Sequence, residues 1–554
     1  MQGSCFTHLI DLVVNPIKQW IMMQSLLRRE GWPLLQAGVL LIALCLPNGR
    51  VFAEPTPAGE NRRIREIRIN ISDVYTEEEA RKSDWAAFAN NYHVKTRESV
   101  IRNEILFKAG DVLDEELIEQ SERKLRRFAF LSEVRISVVP VDAGSVDVEV
   151  HTRDAWSLVP SLNFSGGGGL GSVNALVVES NLLGYGKKLL ANALYESDVG
   201  WTTSFTYQDY QLFKSRWRGY AIYATGPLTE SYFVSLTRPL YSLDTKWAYG
   251  GAVSSADQTI RRFEAGEESS RFTKDHVSVM GYAKRSFGER HNKTNVKLQL
   301  KRYEADYASL GSQTTEPLPP DQANLTPSIG LSKQHNIRWQ EFAYLNKMGS
   351  TEDSWLGLRY SANVGYGIPV QDGFELWDLQ GSAIHNIAFA QKQLLKSSFM
   401  VFSEAVRNTT LSANARYYKQ FSRHTVASRL KVKLGYELDS THQFTLGANN
   451  GLRGYPARQF TGERLMLINL EDRQFWGEYS LGPKIALGTV VFVDSGNVWK
   501  EDEAIELNDL NWSAGGGLRI GLSKLPKQPI IRIDVGWAIG DDEFAVTIGQ
   551  EQHF

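Results

Sequence analysis

The stretch Leu356–Ile368, LGLRYSANVGYGI, reads with a period of two. One parity carries Leu356, Leu358, Tyr360, Ala362, Val364, Tyr366 and Ile368; the other carries Gly357, Arg359, Ser361, Asn363, Gly365 and Gly367. Val426–Leu438, VASRLKVKLGYEL, repeats the pattern, with Arg429, Lys431 and Lys433 on its polar side. Successive side chains of a strand point to opposite faces, so each run has one face suited to lipid and one suited to a wet lumen. Strands of soluble sandwiches average about 5 or 6 residues, and these runs are far longer, which predicts the tilted strands of a transmembrane barrel. Segments at Val296–Leu300, Leu411–Tyr417 and Ile530–Ala538 extend the alternation.

The region Trp156–Phe554 has room for about 16 antiparallel strands, at about 25 residues per strand and connection. Counting alternating segments gives nearer eighteen, because Arg218–Arg238 and Leu394–Tyr418 each divide in more than one way. Short turns such as Gly184-Tyr185-Gly186 would face one side of the membrane and long polar stretches, notably Ala305–His335, the other. Residues 64–153 follow a different pattern. Ile64–Ile71 alternates as a strand, and Thr96–Phe107 and Asp114–Phe128 carry apolar residues at helical spacing, with Thr96 a candidate cap. Val134–Val139 and Val146–Val150 then form a hairpin across Asp142–Ser145. This is a small α+β module with an insertion at 72–94 that contains Trp85, Phe88 and Tyr92. The fold class is therefore mainly β: a C-terminal transmembrane antiparallel β-barrel preceded by one α+β module.

Composition fits that class. Aromatics reach 11%, and 61 basic residues nearly cancel 63 acidic ones, so no polybasic footprint points to nucleic acid. Residues 1–53 read as a cleaved secretory signal with an over-extended start: Arg28 and Arg29, an apolar run, Pro47-Asn48-Gly49, then Val51-Phe52-Ala53. A short segment, 54–63, follows. Both cysteines, Cys5 and Cys45, fall within the signal, which excludes thiol and zinc-thiolate chemistry from the mature chain. Beyond Ala53 no run approaches the roughly 18 apolar residues of a membrane helix.

Several motifs occur in order. They are FKAGDVLDEELIEQSERKLRRFAFLSEVRISVV (107–139), VEVHTRDAWSLVP (148–160), ESNLLGYG (179–186), Gly451-Leu452-Arg453-Gly454-Tyr455, LINLEDRQF (467–475) and Phe492-Val493-Asp494-Ser495-Gly496. Together they resemble a polypeptide-transport-associated (POTRA) domain leading into a barrel of the BamA/TamA outer-membrane assembly and translocation family. Five alternating segments follow the Arg-Gly-Tyr stretch, near Glu463, Lys484, Asn511, Pro529 and Phe544, and a sixteen-stranded family barrel requires five there. The resemblance implies that a loop at about 441–462 folds into the lumen. Parity supports it, because Phe492 and Asp494 share a face, as do Asn469, Glu471 and Arg473 on the preceding strand. An Arg at a Gly-flanked tip can meet Asp494 or Glu471 as a charge-assisted fork. The expected docking partners are Glu471, Phe492, Asp494 and Gly496, with Gly454 allowing close approach and Tyr455 packing on the wall.

Other chemistry finds no support. Gly166–Gly171 satisfies GxGxxG but sits in a hairpin, where its glycines suit a sharp turn or a weak first strand. No P-loop, HExxH, GxSxG or EF-hand pattern occurs, and no metal or cofactor is expected. The resemblance implies a non-enzymatic bacterial outer-membrane protein whose POTRA module lies in the periplasm and assists insertion or translocation of polypeptides. Expected partners are unfolded or exported clients, outer-membrane lipids and a periplasmic or inner-membrane protein reached through the module. Clients would add as strands at a weak seam between Trp156–Phe164 and Phe544–Phe554 and at a module edge carrying Val146, Val148 and Val150. Phe554 would be the barrel-assembly signal, although Gln550 and Gln552 stand where the family is more hydrophobic. The alternatives are a secretion channel and a passive pore or surface-antigen barrel. The chain departs from the family in having room for one POTRA module.

Overall fold

The structure, a computed structural model, describes residues 62–554 except 291, 349–350, 371–372, 391, 405–406, 481–483, 523–529 and 542. The segment read as a signal therefore lies outside the described residues. The N-terminal module runs β1 (Arg63–Ser72), α1 (Glu77–Lys82), α2 (Asp84–Tyr92), α3 (Glu98–Glu104), α4 (Glu115–Leu125), β2 (Leu131–Pro140) and β3 (Ser145–Asp154). Helix α4 starts where Asp114 accepts the Glu116 and Leu117 N–H groups at 3.0 and 3.2 Å, satisfying donors that a helix start leaves unpaired. Ile118 and Leu125 from α4 join Val100 and Ile101 from α3 over the sheet. Thr96 does not cap α3 as expected. Its N–H and hydroxyl both donate to buried Asp154, each at 2.7 Å, and the helix begins at Glu98. The insertion holds α1, closed by a Thr76–Glu79 capping box, and α2, tied back by reciprocal Tyr75–Asn90 hydrogen bonds.

The module's sheet order is β1-β3-β2, with β1 parallel and β2 antiparallel to β3. This corrects one expectation. Val146, Val148 and Val150 lie on the central strand, with 0% exposure and both neighbours already paired, so they form no client edge. The edge strands are β1 and β2. Of these, β2 turns the Ile136 N–H outward to Glu122, at 3.1 Å, and ends at Pro140.

The barrel begins with β4 (Leu158–Gly167), β5 (Leu170–Glu179), β6 (Lys188–Glu196), β7 (Gly200–Leu212), β8 (Trp217–Gly226) and β9 (Thr229–Arg238). It continues through β10 (Trp247–Glu264), β11 (Glu267–Phe287), β12 (Thr294–Ser309), β13 (Gln322–Ala343), β14 (Thr351–Pro369) and β15 (Leu376–Ala390). Then come β16 (Gln393–Glu404), β17 (Arg407–Gln420), β18 (His424–Tyr436) and a short loop hairpin, β19 (Phe444–Leu446) with β20 (Phe460–Gly462). The wall resumes with β21 (Arg464–Ser480), β22 (Lys484–Trp499), β23 (Asn511–Leu522), β24 (Ile530–Ile539) and β25 (Glu543–Gln550). Without β19 and β20 these form one closed antiparallel barrel of 20 strands, not about 16. The undercount arose before the long loop, where turns such as Pro227-Leu228 and Ala265-Gly266 occupy only two residues. Both ambiguous stretches, Arg218–Arg238 and Leu394–Tyr418, contain hairpins. The polar stretch Ala305–His335 is likewise mostly strand, since β12 runs to Ser309 and β13 starts at Gln322.

The alternating run Leu356–Ile368 is broken once. A bulge opposite His335–Arg338, with Gly357 at φ 114°, flips the parity below it. Val364 and Ile368 remain on the exposed outer face, while Leu356 turns inward and is buried beside Phe342 and Phe554.

At the near end of the barrel, turns grip the module. Arg290 donates to Asp114, Glu116 and Asp244, and this guanidinium holds the Asp114 carboxyl below the usual carboxylate range. Gln211 donates to the Val100 carbonyl and to Glu104. The Gly184-Tyr185-Gly186 turn accepts the Arg97 N–H, and a Cβ at Gly184 would come within 2.4 Å of the Lys95 carbonyl oxygen. The ESNLLGYG segment at 179–186 is thus the floor on which the module stands.

The barrel closes weakly. Strands β25 and β4 are in register through one pair, Ile548 with Gly166, whereas β21 and β22 pair along nearly their whole lengths. The pair is offset: Gly166 is near the far end of β4, while Ile548 is near the end of β25 that points to the module. Leu158, Leu162 and Phe164 below it on β4 are exposed. We predict that alternate amides of 158–165 and 543–547, those turned toward the seam, exchange hydrogen orders of magnitude faster than amides of β21 and β22. Exchange read by mass spectrometry checks this, and uniform protection around the barrel would contradict it.

Candidate functional site

Between β18 and β21 the chain folds inward on the stem made by β19 and β20. At the tip the Gly447 carbonyl accepts N–H groups from Asn450, Gly451 and Leu452, and the Asn450 amide closes the turn by bonding Gly447 and Thr445. Gly451 and Gly454 have φ of 139° and 95°, in the left-handed region that glycine adopts without strain. A Cβ at Gly451 would lie 2.4 Å from Leu467 Cδ2, and Gly536 on β24 faces Gly454 so closely that its own Cβ would lie 2.8 Å from the Gly454 nitrogen. Leu452 and Tyr455 are buried with Leu446, Leu465, Leu467, Val498 and Ala538, and the Tyr455 hydroxyl donates to the Trp512 carbonyl at 3.1 Å.

This packing delivers Arg453 to a fully buried position. Its Nε and Nη2 donate to the two oxygens of Asp494 at 2.7 and 2.9 Å, and the Phe492 ring lies 3.4 Å from the guanidinium carbon. Nη1 donates to Glu471 at 2.7 Å and to Asp534 at 3.2 Å. Asn469 secures both sides, giving one hydrogen bond to Asp494 at 2.7 Å and one to the Gly451 carbonyl at 2.8 Å. Arg473 shares Glu471, while Arg519 and Arg532 share Asp534. Four guanidiniums therefore surround three carboxylates. The expected pairing of Arg453 with Asp494 and Glu471 is present; Asp534 and Arg519 are additions that the sequence reading missed. Gly496 has a supporting place, since a Cβ there would lie 2.9 Å from Leu446 Cδ2 of the loop stem. The Gly515-Gly516-Gly517 run of β23 explains how Asp534 fits: Cβ atoms at Gly515 and Gly517 would strike Phe492 and Asp534 at 2.5 and 2.0 Å.

The first hairpin touches the same loop. The Ala457 N–H donates to the Gly168 carbonyl at 2.8 Å, and a Cβ at Gly168 would fall 2.1 Å from the Ala457 nitrogen. The glycine run at 166–169 thus lets β4 and β5 turn against the loop. The chain's last residues enter the lumen as well. Strand β25 ends at Gln550, Glu551 takes φ 63°, and Gln552 accepts from Arg519 Nε at 3.0 Å. His553 Nε2 lies 3.3 Å from the Gly451 carbonyl oxygen, and the main-chain oxygen of Phe554 accepts from Arg473 Nη2 at 2.9 Å. The Phe554 ring is buried among Phe342, Leu394 and Tyr418. Phe554 is thus no part of the closing strand, and a signal recognised there by assembly machinery would be available only before the chain folds.

Two family models match the chain: the Omp85 superfamily domain over residues 387–551, and POTRA, described as a surface antigen variable number repeat, over residues 87–153. The chain thus carries an Omp85 superfamily domain over the C-terminal part of the barrel and one matched POTRA domain before it. Among solved structures it is similar to BamA from Haemophilus ducreyi lacking POTRA domains 1–3, at 15% identity, TM-score 0.40, and 89% and 85% coverage of this chain and that one. CdiB from Escherichia coli aligns at 13% identity, TM-score 0.45, and 89% and 77% coverage. CdiB from Acinetobacter baumannii aligns at 12%, 0.44, and 89% and 74%. No curated protein sequence matches significantly.

Removing Arg453 leaves three carboxylates facing one another without their central cation. Breaking a buried pair from one side costs about 3 to 5 kcal/mol, against about 0 to 1 for an exposed one. Arg453→Ala should therefore release the loop and raise protease cleavage within 447–462, while the barrel keeps its heat-modifiable gel mobility. Arg453→Lys should restore protection only partly, because an ammonium cannot span two carboxylate oxygens as a planar fork. Limited proteolysis of membranes reads both, and wild-type cleavage in Arg453→Ala would show that the pairing does not hold the loop.

Proposed function

We propose that this barrel assists insertion or translocation of other polypeptides at the bacterial outer membrane, with its POTRA module in the periplasm and with clients adding as strands at the seam. The observation that carries the reading is the single-pair closure between β25 and β4, which leaves backbone donors and acceptors without a strand partner in an otherwise continuous wall. Such an edge is a template for strand addition. The inward loop supports it by packing against Gly168 beside that seam, so the loop and the place of client entry share an interface.

The module offers a second edge. With β3 enclosed, the edges are β1 and β2, and on β2 Val138 shares the outward parity of Ile136. A client meeting the module in extended form would pair there, before reaching β4. Secretion of one exported protein is the second reading.

Depletion of the protein followed by outer-membrane proteomics separates them: loss of several unrelated barrels supports assembly, and loss of one exported protein supports secretion. Unchanged levels of both would overturn the proposal. For the module, Val138→Pro removes an outward donor without touching the ladder to β3. It should abolish client crosslinking to the module while leaving the barrel folded, and undiminished crosslinking would exclude β2 as the docking edge.

A further inference from the structure

Part of the lumen wall, at least five strands round from β25, is basic in a way that the fold does not need. On β16, β17 and β18, Lys396 stands directly across from Arg416, and Arg416 directly across from Arg429. Lys431 and Lys433 continue the same face of β18, since all three residues share a parity with Ala427, which is buried in the lumen cluster around Phe554. A second row repeats the arrangement on β11 and β12, where Lys284 faces Lys297. Like charges directly opposite on neighbouring strands are destabilising.

The usual remedy, an interleaved carboxylate, is missing. Among the described residues none of these seven cations makes an ion pair. Glu471, Asp494 and Asp534 are already occupied by Arg453, Arg473, Arg519 and Arg532. Of the other lumen carboxylates, Asp378 and Glu404 face each other at the far end of β15 and β16, and Glu352 is taken by the Asn346 and Lys347 N–H groups. What the basic residues do touch is neutral. Arg429 Nε donates to the Asn469 amide oxygen, Lys433 lies 5.0 Å from the Phe444 ring and Lys297 lies 5.1 Å from the Tyr282 ring. Arg416 Nε and an Nη of Arg429 are buried with no hydrogen-bond partner among the described residues. The side chains as a whole are half-buried, so the lumen reaches them.

We propose that the lumen is an anion-selective conduit, with the row Lys396–Arg416–Arg429 and its extension through Lys431 and Lys433 as the selectivity-determining wall. A low-dielectric cleft lined by one sign of charge concentrates counter-ions, and rings of Lys and Arg select anions in pores. Small anions beside these cations would also supply the screening that the strand pairing lacks. The proposal goes beyond the assembly or secretion reading and does not depend on which client is handled.

The test is the reversal potential of the purified, heat-modifiable barrel in a planar bilayer across a steep KCl gradient. The wild-type protein should favour chloride over potassium. The double charge reversal Lys431→Glu with Lys433→Glu should shift the potential toward, or past, cation preference. If that variant fails to assemble, the neutral pair Lys431→Gln with Lys433→Gln should still reduce the chloride preference. A wild-type potential on the potassium side, a preference untouched in both variants, or inserted barrels with no conductance would each overturn the proposal. Client depletion phenotypes are read separately, so failure here leaves the assembly or secretion reading standing.

Discussion

One guanidinium decides where the long loop can be. Arg453 is buried against Asp494, Glu471 and Asp534, carboxylates supplied by three different strands of the wall. Taking these charges out of water is costly, and the cost is recovered only if every partner is in place. The cluster therefore stands or falls as a whole: β21, β22 and β24 must be in register, Gly515 and Gly517 must leave room, and the loop must turn tightly at Gly451 and Gly454. Its role is better described as specifying one loop position than as adding stability, because apolar residues of equal volume could fill the same space at no greater cost.

Much of this site was legible in the chain itself. The shared parity of Phe492 with Asp494 and that of Asn469, Glu471 and Arg473 follow from a period of two, whereas the inward tip motif was carried by the family resemblance. The five strands after the loop begin within about one residue of their expected places. Asp534 was invisible for a physical reason: its approach to Arg453 comes from the curvature of the wall across two strands and from the missing side chains of β23. No spacing along the sequence encodes that closeness. The glycine triplet was the available signal.

The errors share a cause. Alternation shows that a strand exists and which face is apolar, but not which neighbour it takes. The hairpin of β2 and β3 was correctly placed, yet nothing in its residues reveals that β1 returns to cover the other side of β3. Two-residue turns hid strands in the first half of the barrel. At the end of the chain Phe544, Val546 and Ile548 continue an outward pattern that Phe554 also fits by parity, and only the polar Gln550 and Gln552 hinted that the wall had been left. Gln552 explains itself once Arg519 is beside it in the lumen.

The offset of the closing pair gives the gap a polarity. Because Gly166 sits near the far end of its strand, the vacant rail of β4 runs from residue 165 down to 158, toward the module, whereas the vacant rail of β25 lies on the opposite side of the pair, toward the far surface. Under the proposed strand addition, a segment arriving from the module would meet β4 first and would zip upward along it before any contact with β25. Departure is then asymmetric too. On that proposal the added strand would present its own free edge to the next hairpin, while β25 is moored by the residues that follow it inside the lumen, so a growing sheet would bud from β4 alone.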